Sequence, residues 1–554
     1  MRLRQLAITL GHLLPGQLVN RPLRLVRRAV MRPIPPPLRL SARLYPGVSF
    51  PVRSGSGASA ARFDFMNHQA SLTPPVDWVA RDAPALWRYN LNYFGFLAAV
   101  HDGDREALCL DWIRRNRPFR GIGWDAYPTS LRIINWIRHA PQTEAILDSL
   151  YVHADYLSRS IETHLLGNHL LENARALVFA GAYFRGQPDA ARWLDQGLRI
   201  YRKETPEQIL PDGGHFERSP MYHALMLEGY LDVVNLLPVR HRDRSFFLRT
   251  IDRMTSFLSG TSHPDGEISL FNDSAFDVAP APRVLADYAA RIQGPETKSD
   301  VPLQSFPETG YFVFRGRRMF VIIDGGPVGP DYLPAHAHAD VFSFELSRAD
   351  QRWIVDSGVF EYAPGEMRTY CRSTRAHNTV EIDSADQVEV WSSFRVGKRD
   401  RPYGIRFEER GNGFRFRGTF SGYRKLLGDD IRVVRTVNGS DDALSVTDHV
   451  AGKGTHRLRS YLHLHPAIRV NRLSETSIRL STDSEQCLLS SSGADISVEK
   501  GWYCPRFGVR EENLVLVLGR DSVLPSELAY SLIFGADARV HSDHPIDDDE
   551  TERI

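Results

Sequence analysis

Four groups of side chains able to move protons or hold charge lie far apart in this chain. GNHLLENARAL (167–177) begins a helical pattern with Asn168 and His169, and Glu172 follows three residues after His169, on the same helical face. A carboxylate at that spacing holds an imidazole in one tautomer and raises its pKa. The same residues also read as a polar helix end capped by Asn168, and alone they do not choose. DGGHFERSPMYHALMLEGYLDVV (212–234) sets two glycines before His215, Glu217 and Arg218. Those glycines permit a backbone path that presents the three side chains to a groove. Ser219 and Pro220 then serve as N-cap and first helical residue, which puts Tyr222 in the first turn. The positive end of the helix dipole favours a phenolate there, so Tyr222 is expected to lose its proton readily and act as a base. The competing reading is a tyrosine that only packs.

PAHAHADVFSFEL (334–346) is the third group. If extended, it shows His336, His338 and Asp340 on one side, a trio suited to a divalent metal or to a catalytic histidine beside one. Downstream, Asp356 in IVDSGVFEY and His377 in STRAHNTVEID complete, with His338, a His/Asp/His set fit for zinc. The fourth group is aromatic and cationic: LWRYNLNYF, GIGWDAYP and QVEVWSSFRVGKR. Trp87, Tyr89, Tyr93, Trp124, Tyr127 and Trp391 can stack on sugar rings. Arg88, Arg218, Arg395 and Lys398 can meet carboxylates or sulfates, arginine being suited to bidentate contacts, with Asn92 as a further polar contact. Most aromatic residues in helical domains are core, so only some of these are expected to touch a ligand.

The elements that must position these groups change character once. From about Trp78 to Gln293 the apolar spacing is helical, broken by short loops with Gly, Pro or Asp, as in consecutive antiparallel helix pairs. From ETGYFVFRGRRMFVIIDGG onward the alternation is strand-like, through VFSFELS, IRVVRTV, LSVTDHV and LAYSLIF. Helices first and strands afterwards imply an all-α domain followed by a β-sandwich. The expected division is a basic arm and Pro-rich linker over 1–60, a helical domain over 61–300 and a β domain over 301–554. The seam is read in the polar, structureless GPETKSDVPLQ. The arm, ending in RPIPPP, is expected to be irregular, although a basic amphipathic segment resting on a membrane is a second reading.

Composition narrows the partners. The 554 residues carry 68 basic and 67 acidic side chains, which argues against bulk nucleic-acid binding. An acidic ligand therefore needs local basic groups in a groove. The 4 cysteines, Cys109, Cys371, Cys487 and Cys504, form no CxxC and no disulfide framework. No apolar run approaches the length of a membrane span, and the first residues make a poor signal peptide. Location and oligomeric state stay open.

In order along the chain, GNHLLEN, HFERSPMYH, HPDGEISLFNDS, AHAHAD, IVDSG and RSTRAHNTVEID resemble the heparinase II/III superfamily of polysaccharide lyases, across roughly residues 80–540. The resemblance implies an incomplete (α/α) toroid followed by an antiparallel β-sandwich. It implies β-elimination on a uronic-acid-containing polysaccharide or oligosaccharide, glycosaminoglycan-like, alginate-like or a bacterial exopolysaccharide. Asn168 and His169 match the pair at the uronate carboxylate, and Glu172 an acidic residue beside that histidine in some members. Tyr222 matches the catalytic tyrosine and His336 the catalytic histidine. His338, Asp356 and His377 match the zinc ligands of metal-containing members, with Zn²⁺ in a structural role. A C5-epimerase of the same architecture and a non-catalytic glycan-binding protein are the other two readings.

Overall fold

The computed structural model describes residues 2–45, 47–51, 58–59, 62–72, 75–294, 301–428 and 430–535. The first surprise is the arm, which is ordered as two helices, α1 (Arg2–Gly11) and α2 (Pro15–Val30). The irregular reading failed because Gly11 and Pro15 look like interruptions of one segment, whereas they separate two. Pro15 occupies the first position of α2, where its missing N–H costs nothing.

Among the described residues nine further α-helices build the α domain: α3 (Ala85–Tyr93), α4 (Asp102–Arg115), α5 (Ala126–His139), α6 (Glu144–Arg159), α7 (Gly167–Tyr183), α8 (Ala190–Gln208), α9 (Pro220–Leu236), α10 (Arg244–Thr261) and α11 (Pro282–Gln293). A small antiparallel hairpin, Arg62–Phe65 with His68–Ser71, packs beside them. α7 packs against α5, α6, α8 and α9, and every one of its residues except His169 is buried. Small side chains at Ala174, Gly181 and Gly197 bring α7 and α8 together; a Cβ on Gly181 would strike the α8 backbone. Five buried charges tie α5, α7 and α9. Arg175 meets Glu172 at 3.1 Å and Asp232 at 2.8 Å, and Arg138 reaches Glu228 at 3.6 Å. Buried ions at this density hold only while each keeps its partner.

Helix gives way to strand between Gln293 and Leu303; the first described strand of the β domain begins at Leu303, inside the stretch read as structureless, while 295–300 lie outside the described residues. A five-stranded antiparallel meander runs from Leu303–Phe306 to Gln351–Ile354. An eight-stranded sheet has Ala443–Ala451 and Ser526–Phe534 at its centre, and a four-stranded sheet has Thr455–His463 beside Glu511–Val523. Leu444, Val446 and Val450 alternate inward in Ala443–Ala451, as period-2 patterning requires. Among the described residues the longest helix after Leu303 is α12 (Glu366–Arg372). The last strand ends at Phe534, and 536–554 lie outside the described residues.

Candidate active site

α7 delivers the first pair. His169 is the one residue of that helix left partly open to solvent, and its ring lies 4.4 Å from the ring of Tyr127. Its Nδ1 contacts Glu162 Oε2 at 3.2 Å, and Asn173 Nδ2 donates to the same carboxylate at 3.2 Å. Burial opposes charge on both partners, yet their mutual attraction prevails: His169 is raised above the ordinary imidazole value and Glu162 is held below the ordinary carboxylate value. The orienting carboxylate is thus Glu162, not Glu172. Spacing along the helix suggested Glu172, but Arg175, on the same helix, pairs with it instead.

Asn168 turns to Glu217, whose two oxygens accept from its Nδ2 at 3.1 and 3.0 Å, while the Asn168 backbone N–H adds a bond of 2.9 Å. Gly167 makes this approach possible: its φ is +57°, and a Cβ there would collide with Glu217. The other oxygen contact of Glu217 is His336 Nε2, at 3.3 Å, so one carboxylate bridges the two domains.

Tyr222 opens α9 as the capping pattern predicts, with Ser219 Oγ accepting from its N–H at 3.2 Å. Its ring lies 4.0 Å from that of His336, and its hydroxyl is 3.2 Å from the Tyr362 hydroxyl. The expected phenolate is not favoured. Burial pushes the phenol well above its ordinary pKa, and Tyr362, Asp273 and Glu217 push the same way. Desolvation of an anion outweighs a helix dipole of about half a charge.

His336 and His338 do not lie on an extended strand. They sit in the loop between strands Met319–Asp324 and Phe344–Arg348, and they face opposite ends of Asp273. His336 Nδ1 meets Asp273 Oδ2 at 2.9 Å, and His338 Nε2 meets Oδ1 at 2.9 Å. Arg368 on α12 pairs with the same carboxylate through both terminal nitrogens, one at 2.9 Å. Although burial opposes it, Arg368 and the two histidines hold Asp273 well below the usual carboxylate range. Asp273 is the penultimate residue of the motif HPDGEISLFNDS, but no periodicity marked it as the hub.

The metal candidates rearrange. His338, Asp340 and His377 bring ligand atoms within 4.8 Å of one another, and all three are buried. His338 Nδ1, Asp340 Oδ2 and His377 Nε2 are each buried without a hydrogen-bond partner. Asp356 instead meets His377 Nδ1 at 2.8 Å and sets the tautomer that frees Nε2. Two imidazoles and a carboxylate with orphaned atoms converging fit a divalent cation, Zn²⁺ among them, with Asp340 in the place foreseen for Asp356.

The sugar-binding candidates divide. Trp87, Trp124 and Asn92 are core: Trp87 donates to His68 O at 2.9 Å, and Asn92 Oδ1 accepts from Trp112 Nε1 at 2.9 Å. Arg218 is buried and donates to Thr309 O, Phe216 O and Glu308 O at 2.8–3.1 Å, tying the domains together. His215 is buried beside Gln208. Arg88 donates to Val79 O at 2.8 Å. Tyr93 and Tyr127 are half-buried, with rings 5.8 Å apart, and with Tyr89 they form an aromatic wall beside His169 and Tyr222. Trp391 donates to Thr9 Oγ1 of α1 at 3.3 Å and Arg395 lies 5.0 Å over its ring, so the arm claims both. On the other side, Arg24 and Arg28 of α2 line a pocket with Asp125, Glu162 and His164, at the rear of the His169 pair.

Residues 143–290 match the family described as heparinase II/III N-terminus, and residues 298–536 match heparinase II/III-like, C-terminal. Over 270 residues the chain is 28% identical to a heparin-sulfate lyase of Pedobacter heparinus, which is 44% of this chain and 40% of that protein. Over 313 residues it is 29% identical to the FtsZ-localized protein C of Caulobacter vibrioides, 54% of this chain and 52% of that one. The chain thus spans about half or less of the length of these curated relatives. A crystal structure of heparinase III superposes with a TM-score of 0.66 at 17% identity, covering 83% of this chain and 79% of the other. That likeness carries the fold, a helical toroid joined to a β-sandwich.

Proposed function

Because this chain belongs to the heparinase II/III superfamily, we propose that it is a polysaccharide lyase that cleaves a uronic-acid-containing, acidic polysaccharide by β-elimination. The observation that carries the reading is the close approach of the Tyr222 and His336 rings, tilted at 31° with centroids 4.0 Å apart, beside the Asn168–Glu217 and His169–Glu162 pairs. An acid and a base thereby sit next to donors suited to a carboxylate.

The reaction takes the proton from C5, makes the C4–C5 double bond and expels O4. The C5 proton is weakly acidic, so negative charge developing on the uronate carboxylate must be stabilised as it forms. His169, whose pKa is raised by its pairing with Glu162, donates through its other ring nitrogen to that carboxylate, and Asn168 turns its amide from Glu217 to the same group. Tyr222 rests as a neutral phenol and therefore supplies the proton that O4 needs on leaving. The C5 proton lies on opposite faces in glucuronic-like units and their C5 epimers. On one face Tyr222, having first passed its phenolic proton to the adjacent His336, takes the C5 proton and delivers it to O4. On the other, His336, oriented by Asp273, takes the C5 proton while Tyr222 gives its own to O4. A cation held by His338, Asp340 and His377 would supply fixed positive charge that locks the loop carrying His336.

The test is a panel of uronic-acid polymers, including heparan, chondroitin, alginate and bacterial exopolysaccharides. A lyase generates ultraviolet absorbance from a 4,5-unsaturated uronate. Solvent deuterium entering C5 with no absorbance and no chain shortening would replace this reading with a C5-epimerase. Neither signal on any polymer, with glycan binding retained, would leave only a binding protein.

A further inference from the structure

Helix α2 is built inside out. Gln17 is almost fully buried and donates to Tyr332 O at 3.4 Å. Arg28 meets Asp125 at 2.6 Å and donates to Gly121 O at 2.8 Å, and Arg24 lines the same pocket. The polar side of the helix thus faces the protein. Leu18, Val19, Leu23, Leu25, Val26 and Val30 face away and are each 39–70% exposed. At 100° per residue these six, with Pro22 and Ala29, fill the half of the wheel opposite Gln17, Arg24 and Arg28. No charge falls within that half, and exposed Arg21 and Arg27 stand at its two borders. Half of the exposed large hydrophobic side chains among the described residues lie between Leu3 and Leu38. Residues 1–40 contain eight arginines and no Asp or Glu.

We propose that the outward face of α2 docks on an anionic phospholipid bilayer. The helix would lie in the interface, with Leu18, Leu25 and Val26 entering the acyl boundary and Arg21 and Arg27 meeting lipid phosphates. Charge selects this occupant. In a symmetric contact between two copies, Arg21 and Arg27 would face arginines with no acid on the arm to offset them. A surface rich in phosphate offers the complement. The 16 residues of α2 reach about 24 Å, too short to span a bilayer, so the helix lies on it. The anchoring is already in place: Gln5 meets Glu389 at 3.3 Å and Thr9 accepts from Trp391, which ties α1 to the β domain, while Arg28 ties α2 to the α domain. Docking therefore holds both domains, and the groove between them, at the lipid surface.

Co-sedimentation of the full chain with vesicles of phosphatidylcholine and phosphatidylglycerol in equal parts tests this, with phosphatidylcholine alone as control. The protein should pellet with the anionic vesicles and be released by salt of about 0.5 M, where charge is screened within a few ångströms. The double variant Leu25→Glu/Val26→Glu, both exposed, should melt like the wild type and lose binding more than tenfold. Arg21→Ala and Arg27→Ala should each weaken it about fivefold. Failure of the wild type to pellet overturns the proposal, as does pelleting untouched by either set of variants. A wild-type dimer that Leu25→Glu/Val26→Glu dissolves, with no vesicle binding, would assign the face to a second copy instead.

Discussion

Asp273→Asn is the most informative single change. Asp273 is fully buried and neutralises Arg368, whose side chain is 2% exposed, while accepting from His336 and His338. Asparagine keeps the volume but removes the charge and points an amide N–H at groups that are themselves donors. Leaving one member of a buried ion pair uncompensated costs about 3–5 kcal/mol. His336 at the same time loses the anion that fixes its ring, and turnover should fall about 10²–10⁴-fold. Adding Arg368→Gln removes the stranded guanidinium. Stability should then recover by a coupling of roughly 0.5–3 kcal/mol, while turnover stays low because His336 is still unheld. Urea denaturation and turnover on the two single variants and the double variant separate these effects. Acid is a second handle. Because Asp273 has a depressed pKa in the fold, its contribution is complete above the ordinary carboxylate value and is lost as pH falls through the lower folded value. Wild-type stability and turnover in Asp273→Asn would refute the hub, and strict additivity with Arg368→Gln would refute the charge argument.

Tyr222→Phe removes a hydroxyl whose bonded partner is Tyr362, so melting should barely move while turnover drops at least ~10²-fold; near-normal turnover takes Tyr222 out of the chemistry. Glu162→Gln should move the alkaline rise in KM to lower pH, because Glu162 is what raises His169. The stability contributed by that pair is present below the ordinary imidazole value and lost as pH rises through the raised one, so an unshifted profile counts against it. Equilibrium dialysis with Zn²⁺ should find one ion per chain, lost in Asp340→Asn and weakened about 10–100-fold in Asp356→Asn; the reverse order would return Asp356 to the ligand set.

The two-domain order was readable because hydrophobic period changes once, and Ser219-Pro220 placed Tyr222 in its helical turn without ambiguity. Partners across space were not readable. Glu172 sits at the right helical spacing to His169, yet Arg175 is equally well spaced and pairs with it, while Glu162 arrives from the preceding loop. Trp87 and Trp124 have the residue type of sugar platforms, but type does not say which face of a helix meets the core. Arg218 looked like an anion binder, and three carbonyls take its guanidinium instead. Asp273 stood in a quoted motif without a role, because the three residues that meet its carboxylate come from segments 63–95 residues away.

Glu217 bears on how this protein would lose activity on heating. Its oxygens touch Asn168 on one side and His336 of the β domain on the other. A slip between the domains of about one ångström takes the His336 contact beyond hydrogen-bond range and leaves both cores intact. Catalysis should therefore fade at temperatures where neither domain has melted, and return on cooling, because nothing has to refold.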